Sequence, residues 1–344
     1  MRKITQCLGV LAAAGLAVAG LNAGSASAAS QQIRTKAEWQ AAIAHVPSHG
    51  SGCFQASYPA LAWHAVRCET APRTPFLPRG AAGGAHPATI GDGSDYSAQV
   101  SGVISKATGT FTNVNSGLTE KGQLGGSGGQ VSNAFSLQLN TEFISGSPAC
   151  AGSSNPSGCQ AWQQFIYADN GGGTGDVFMQ YWLINYNNTC PSGWYTYSAD
   201  CYTNSASTTV ATVKASQLGS TSLAGSAVSG GSDAVTLTVS GKAAKVTGKD
   251  TKIDLAKFWN TTEWGVVGDG GGGQANFGSQ ATLEAVTSLQ STSSAAPKCI
   301  MEGFTAETNN LNLVATPALG TVSLPTLASK QTAKTGTASC ATKA

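Results

Sequence analysis

Between residues 90 and 290 the chain is cut into short alternating runs by glycine clusters, and this punctuation constrains the fold more than any other feature. The breaks read GSGG at 126–129, GGGTGD at 171–176, SGGSD at 229–233 and GDGGGG at 268–273. Glycine supplies the backbone conformations of tight turns and is costly inside a helix. The runs at 97–105, 133–144, 160–168, 176–186, 206–215, 233–240, 262–268 and 280–288 are mostly rich in β-branched and aromatic residues. They alternate in part with period two and are expected to be strands. Short strands joined by glycine-rich turns predict an all-β fold, a two-sheet antiparallel sandwich of jelly-roll type. A parallel β-helix would need a repeat of constant period, and the text has none. Helical spacing is confined to short stretches at 35–45 and 251–259.

The first 28 residues read as a secretory signal: Arg2 and Lys3, an apolar run, and a small-x-small site at Ala26-Ser27-Ala28. No later stretch approaches the length of apolar text needed to span a bilayer. The expectation is therefore a secreted, extracellular chain, free of the membrane once the signal is removed, and monomeric. The formal charge of +2 comes from Arg2 and Lys3, and the remaining chain is neutral. Neutrality gives no electrostatic reason to expect a nucleic acid partner. Nine cysteines less Cys7 of the leader leave an even set for an oxidising compartment. Proximity in the chain suggests Cys53 with Cys68, Cys150 with Cys159, Cys190 with Cys201, and Cys299 with Cys340. Eight cysteines allow 105 pairings, so proximity is the whole of that argument.

Residues 29–90 carry all four histidines (His45, His49, His64 and His86), every arginine beyond the leader, and the proline-rich text PRTPFLPRG at 72–80. This segment reads as an N-terminal arm or a removable propeptide, 91–290 as the sandwich domain, and 291–344 as a C-terminal extension along the surface tied back by a disulfide. The histidine distribution excludes a histidine-based triad or metal site built wholly inside the β domain, although His64 or His86 could reach a groove if the arm is retained. No C-x-x-C pair is present, so neither metal nor cofactor is expected. Carboxylates assisted by amides remain for acid–base work. Glu263 stands beside Trp264 in TTEWGVVG, where desolvation would raise its pKa and suit it to act as general acid or base. It reads equally as an exposed edge-strand residue.

Two neighbouring strands interleave rings and amides. Alternation puts Gln163, Phe165 and Tyr167 on one face and Trp162, Gln164 and Ile166 on the other; Gln180, Trp182 and Ile184 share a face of the next strand. One such face would line a groove, unless the rings are simply core.

The segment 159–284 resembles the eqolisin-type glutamic peptidases. The resemblance lies in Thr262-Glu263-Trp264-Gly265-Val266-Val267 followed by Asn276-Phe277-Gly278, and in Ala161-Trp162-Gln163-Gln164 ahead of Phe178-Met179-Gln180-Tyr181-Trp182. It implies a concanavalin-like sandwich made with a removable propeptide and a glutamate–glutamine pair that activates water on a peptide bond in acid. It places Glu263 on the glutamate and Gln163 on the glutamine, with Gln164 one register away, and polypeptide as substrate. Trp162, Gln164, Gln180, Trp182 and Trp264 would then line the substrate groove. The alternative is a non-catalytic cell-surface or carbohydrate-binding sandwich whose rings stack on polysaccharide. A glycosidase would need a second carboxyl group, for which Glu142 is the candidate.

Overall fold

A computed structural model describes residues 35–48, 50–80 and 89–344. The expected signal at 1–28, His49 and His86 lie outside the described residues. Within the unit Ile33–Ala344 two large sheets stack as the expected sandwich, one of 14 strands and one of 11, almost wholly antiparallel. The eight expected strands are all present with shifted ends; the run at 97–105 divides into Tyr96–Gln99 and the start of Ile104–Thr112.

The smaller sheet positions the site. Its central strands are β1 (Tyr96–Gln99), β2 (Phe135–Thr141), β3 (Gln160–Gly171), β4 (Thr174–Ile184), β5 (Asp200–Asn204) and β6 (Thr261–Gly268). They lie side by side in the order β5-β4-β3-β2-β6-β1. Alternation along β3 and β4 sends Phe165, Tyr167, Val177, Met179 and Tyr181 into the core between the sheets. There they meet Leu223, Val235, Leu237 and Val246 of the larger sheet. This inner face is mostly apolar and aromatic, as sheet-on-sheet packing requires. Close approach depends on two glycines. A Cβ on Gly109 would lie 2.1 Å from the Trp264 ring, and one on Gly225 2.4 Å from the Phe165 ring.

Both chain ends contribute more than sequence suggested. Cys53–Ser57 pairs through all five residues with Lys242–Lys249 at one side of the larger sheet. A short helix, α1 (Lys36–Ile43), begins with a Thr35/Glu38 capping box and buries Trp39 and Ile43 against Ala56 and Ala243. The C-terminal segment is not a surface extension. Thr308–Val314 and Thr326–Thr332 enter the larger sheet, and Leu311, Leu313 and Leu327 are buried in the main core. The alternation of NLNLV is what buries it. The stretch 251–259 forms two turns of 3₁₀ helix. The disulfides join Cys53–Cys68, Cys150–Cys159, Cys190–Cys201 and Cys299–Cys340, as proximity suggested.

Replacing Gly109 with alanine or valine is expected to cost about 2 kcal/mol or more, because the added carbon meets a ring that has nowhere to move. Urea unfolding monitored by Trp fluorescence measures it, and a midpoint equal to wild type would contradict the packing.

Candidate active site

The outer face of the smaller sheet carries an unusual row. Strand register sets Ser97 of β1 opposite Glu263 of β6, Glu263 opposite Asn140 of β2, Asn140 opposite Gln164 of β3, Gln164 opposite Gln180 of β4, and Gln180 opposite Asn204 of β5. Six polar side chains thus cross the sheet in one line. All but Asn204 are at most 1% exposed. Asn140 Nδ2 donates to Glu263 Oε2 at 2.9 Å and to Gln138 Oε1 at 3.2 Å, and Gln164 Nε2 donates to the same Gln138 oxygen at 3.1 Å. Gln138 Nε2 reaches Glu307 Oε2 at 3.2 Å. Glu263 and Gln164 are therefore tied together through Asn140 and Gln138. Glu263 Oε1, Asn140 Oδ1 and Gln164 Oε1 are buried without a protein hydrogen-bond partner.

Period two decides which expected site residues meet. Trp162, Gln164, Gln180 and Trp182 lie on this outer face. Gln163 does not: it points into the core beside Met179 (Nε2 to Sδ 3.6 Å) and Asp233. Trp264 is likewise turned inward against Phe111, with its indole N–H donated to the Thr110 carbonyl. The expected pairing of Gln163 with Glu263, and the expected place of Trp264 in the groove, are corrected accordingly. Adjacent residues of one strand face opposite ways, so it is Gln164 that shares the face of Glu263. His64, on an outlying strand, is exposed and takes no part. Glu142 is engaged instead by the backbone N–H groups of Asn260 and Thr261.

Sequence reasoning missed several residues of this site. Ser136, Gln138 and Asn140 alternate with Phe135, Leu137 and Leu139, a polar stripe on an apolar strand that was legible from spacing alone. Asp95 carried no such signal. It lies on the same face, two residues before Ser97, and its Oδ2 stands 3.5 Å from where a Gly265 side chain would begin. A Cβ on Gly303 would lie 2.7 Å from Glu263 Oε1 and 3.3 Å from Asp95 Cβ, so that glycine lets the 302–307 segment close over the two carboxyl groups. Asp95 Oδ2, like Glu263 Oε1, has no protein partner.

Two segments from opposite ends of the chain cover the row. Residues 302–307 lie on Glu263: the N–H groups of Phe304 and Thr305 donate to Oε2 at 2.9 and 3.3 Å. The proline-rich segment 72–79 crosses the rest of the face. Pro72 accepts from Asn204, Arg73 from the Tyr202 hydroxyl and Thr74 from Gln180. The Phe76 N–H donates to Gln180 Oε1 at 2.7 Å and that of Leu77 to Glu307 Oε1 at 2.9 Å. Arg79 pairs with Glu302 at 2.5 Å and lies over the rings of Phe143 and Phe304. On either side of this strap a cavity remains, of about 280 Å³ beside Asp169 and Asp269 and about 560 Å³ beside Phe143, Ile184 and Tyr197.

Burial dominates the electrostatics. It raises Glu263 to about 7 against the hydrogen bonds from Asn140, Phe304 and Thr305 and the charge of Arg79. It raises Asp95 well above the usual range, and the neighbouring Glu263 charge adds to that. Glu307 is also raised, by burial. No group of three or more ligating side chains that could hold a metal ion occurs among the described residues.

No protein-family model matches the chain, and no curated protein matches it. Solved structures with a distant likeness include scytalido-glutamic peptidase with a peptide-based transition state analog, at 14% identity and TM-score 0.29, covering 70% of this chain and 98% of that one. SCP-B, a member of the eqolisin family of peptidases in complex with the tripeptide Ala-Ile-His, is similar at 12% identity and TM-score 0.29, with 70% and 98% covered.

Buried carboxyl groups with raised pKa values set how stability depends on pH. Burial also lifts Glu120 and Asp233 to about 8, and Glu142 and Asp269 to about 7. In the unfolded chain these groups ionise near pH 4. Below that both states hold the protons and the fold keeps its full stability. As pH rises the unfolded state releases protons first, so stability falls until the folded groups ionise too. Stability is expected to drop by about 3 kcal/mol or more from pH 4 to pH 8. Urea unfolding across that range checks it, and a flat or rising profile would contradict the burial of these groups.

Proposed function

We propose that this chain is the closed precursor of a secreted, metal-independent acid endopeptidase of glutamic type, with Glu263 and Gln164 as its catalytic pair. One observation carries the reading: both side chains stand on the same sheet face as cross-strand neighbours of Asn140, with unpartnered oxygens on all three. Buried polar atoms need a partner, and a water bound among them would lie where a peptide carbonyl entering along the groove could be attacked.

In the reaction, ionised Glu263 takes a proton from that water as the oxygen adds to the scissile carbonyl carbon. The Gln164 amide donates an N–H toward the oxyanion that forms. Glu263, now protonated, passes its proton to the departing nitrogen as the C–N bond breaks. Asn140 is a positioning residue that fixes Glu263 through Oε2. Asp95 keeps a proton while Glu263 is ionised, since two adjacent buried carboxyl groups do not both ionise. In the closed chain burial favours neutral Glu263. Removing residues 72–79 and moving 302–307 aside would wet the row and lower its pKa toward the ordinary carboxyl range, where an acid protease works.

The strap supports reading residues 29–90, in whole or in part, as a propeptide rather than a retained arm. Sugar stacking fits the site less well. Trp162 and Trp182 are fully buried, and Trp162 meets Phe143 edge-on rather than offering an open platform.

The test is digestion of casein from pH 2 to pH 7 by chain cleaved between residues 80 and 89. Glu263→Gln should abolish hydrolysis with the fold intact, and Gln164→Ala should lower kcat by about 100-fold or more, the usual cost of an oxyanion donor. Gln163→Ala, on the core side, should leave kcat within a few-fold. Hydrolysis undiminished in the Glu263 variant would overturn the assignment. Asp95→Asn should remove the alkaline limb of the pH profile or move it upward, because the second ionisation of the pair is removed. Identical limbs would place Asp95 outside the mechanism.

A further inference from the structure

The strap also describes what the groove is shaped to hold. Prolines recur at every third position in PRTPFLPRG: Pro72, Pro75 and Pro78. Each fixes its own φ and pushes the preceding residue to extended backbone, which favours the threefold form of a polyproline helix. In that form residues 73, 76 and 79 fall on one face. All three have aromatic seats. Arg73 lies over Tyr195, Phe76 packs edge-on against Phe178, and Arg79 sits over Phe143 and Phe304.

The backbone is read as closely as the side chains. The carbonyls of Pro72, Arg73, Thr74, Pro75 and Leu77 accept from Asn204, Tyr202, Gln180, Gly271 and Ala306. The N–H groups of Phe76, Leu77 and Arg79 find acceptors on Gln180, Glu307 and Phe304. Pro75 and Pro78, between them, bring no N–H to satisfy. Register also locates the crossing point. Phe76 packs with Ile166 and Phe178, the pair on one side of the Gln164–Gln180 row, and Leu77 packs on the cluster of Trp162 and Trp182 on the other. The bond between Phe76 and Leu77 therefore passes over the row that holds Gln164.

We infer that the groove recognises proline-rich extended peptides, with a bulky apolar pair at the crossing point flanked by prolines and with basic residues three positions to either side of the first. The inference rests on the peptidase reading for what happens to such a peptide, though not for its binding. The strap is then a copy of the ligand carried by the chain itself.

The probe is the synthetic peptide PRTPFLPRG, compared with its proline-free counterpart ARTAFLARG. Binding is measured by calorimetry at pH 4 on the full chain carrying F76S, L77S and E263Q, which unseats the strap and removes hydrolysis. PRTPFLPRG is expected to bind at least tenfold tighter than ARTAFLARG, and neither should bind the chain whose strap is intact. Equal affinities, or binding of neither peptide by the folded variant, would overturn the inference. If that variant does not fold, amide exchange in the otherwise intact chain decides. The Phe76 and Leu77 N–H groups should exchange at least tenfold faster in P75A/P78A than in wild type, and unchanged protection would overturn it. Because the peptide assay uses a catalytically dead chain, loss of proteolysis in the casein experiment leaves its result standing, and the reverse holds too.

Discussion

A carboxyl group in the middle of a sheet must be hydrated or hydrogen-bonded, and much of this molecule is arranged around satisfying Glu263 without bulk water. Its sheet neighbours supply one donor, Asn140. The remaining donors come from residues 304 and 305, more than forty positions along the chain. Glu307, equally buried, takes its donors from Thr305, Gln138, Leu77 and Gly272. Leaving such groups unpaired costs more than an ordinary hydrogen bond returns. The polar face therefore holds down two crossing segments, one from each end of the chain. A half-covered face would expose rings as well as amides, since Trp162 and Trp182 flank the row.

Much of the architecture could be read in advance because it depends on local periodicity. Alternation and glycine breaks located the eight expected strands to within a few residues, but passed over Thr221–Ser226 and Lys242–Lys249 between them. The cysteine pairs at 53–68, 150–159 and 190–201 follow from short sequence separation, whereas Cys299–Cys340 spans 41 residues and links the two sheets. The register of the candidate site was harder. Gln163 and Gln164 are chemically identical neighbours, and period two says only that they face opposite ways. Which face is groove and which is core depends on whether the second sheet packs beneath Phe165 or beneath Ile166, a tertiary fact. The placement of Trp264 was a different kind of error. Consecutive residues of one strand cannot both line a groove, so assigning Glu263 to the site already assigned Trp264 to the core.

What stayed hidden in the sequence is long-range. Nothing local to Asp95 announces Glu263, and the close cover over the pair depends on Gly303, far along the chain from both. Nothing local to PRTPFLPRG says it will lie on Gln180 and Glu307. Its regular prolines predict extended backbone, but an extended segment becomes a strap only where acceptors and aromatic seats match its period. The C-terminal strands were passed over for a simpler reason: serine, threonine and proline around them masked the alternation of 308–314.

Closure and chemistry are coupled through one physical quantity, the hydration of the sheet's outer face. Under the strap, desolvation keeps Glu263 protonated into the neutral range, so it lacks the charge needed to take a proton from water. The same desolvation, repeated at Asp95 and Glu307, makes the closed fold most stable in acid. An acid environment is also where an uncovered Glu263, back in water, would have a pKa matched to its surroundings. Stability and the proposed activity then ask for the same pH but for opposite states of hydration. On the proposed reading a precursor would persist in the medium in which its product works, and the difference between them would be whether residues 72–79 or another peptide lies along the row.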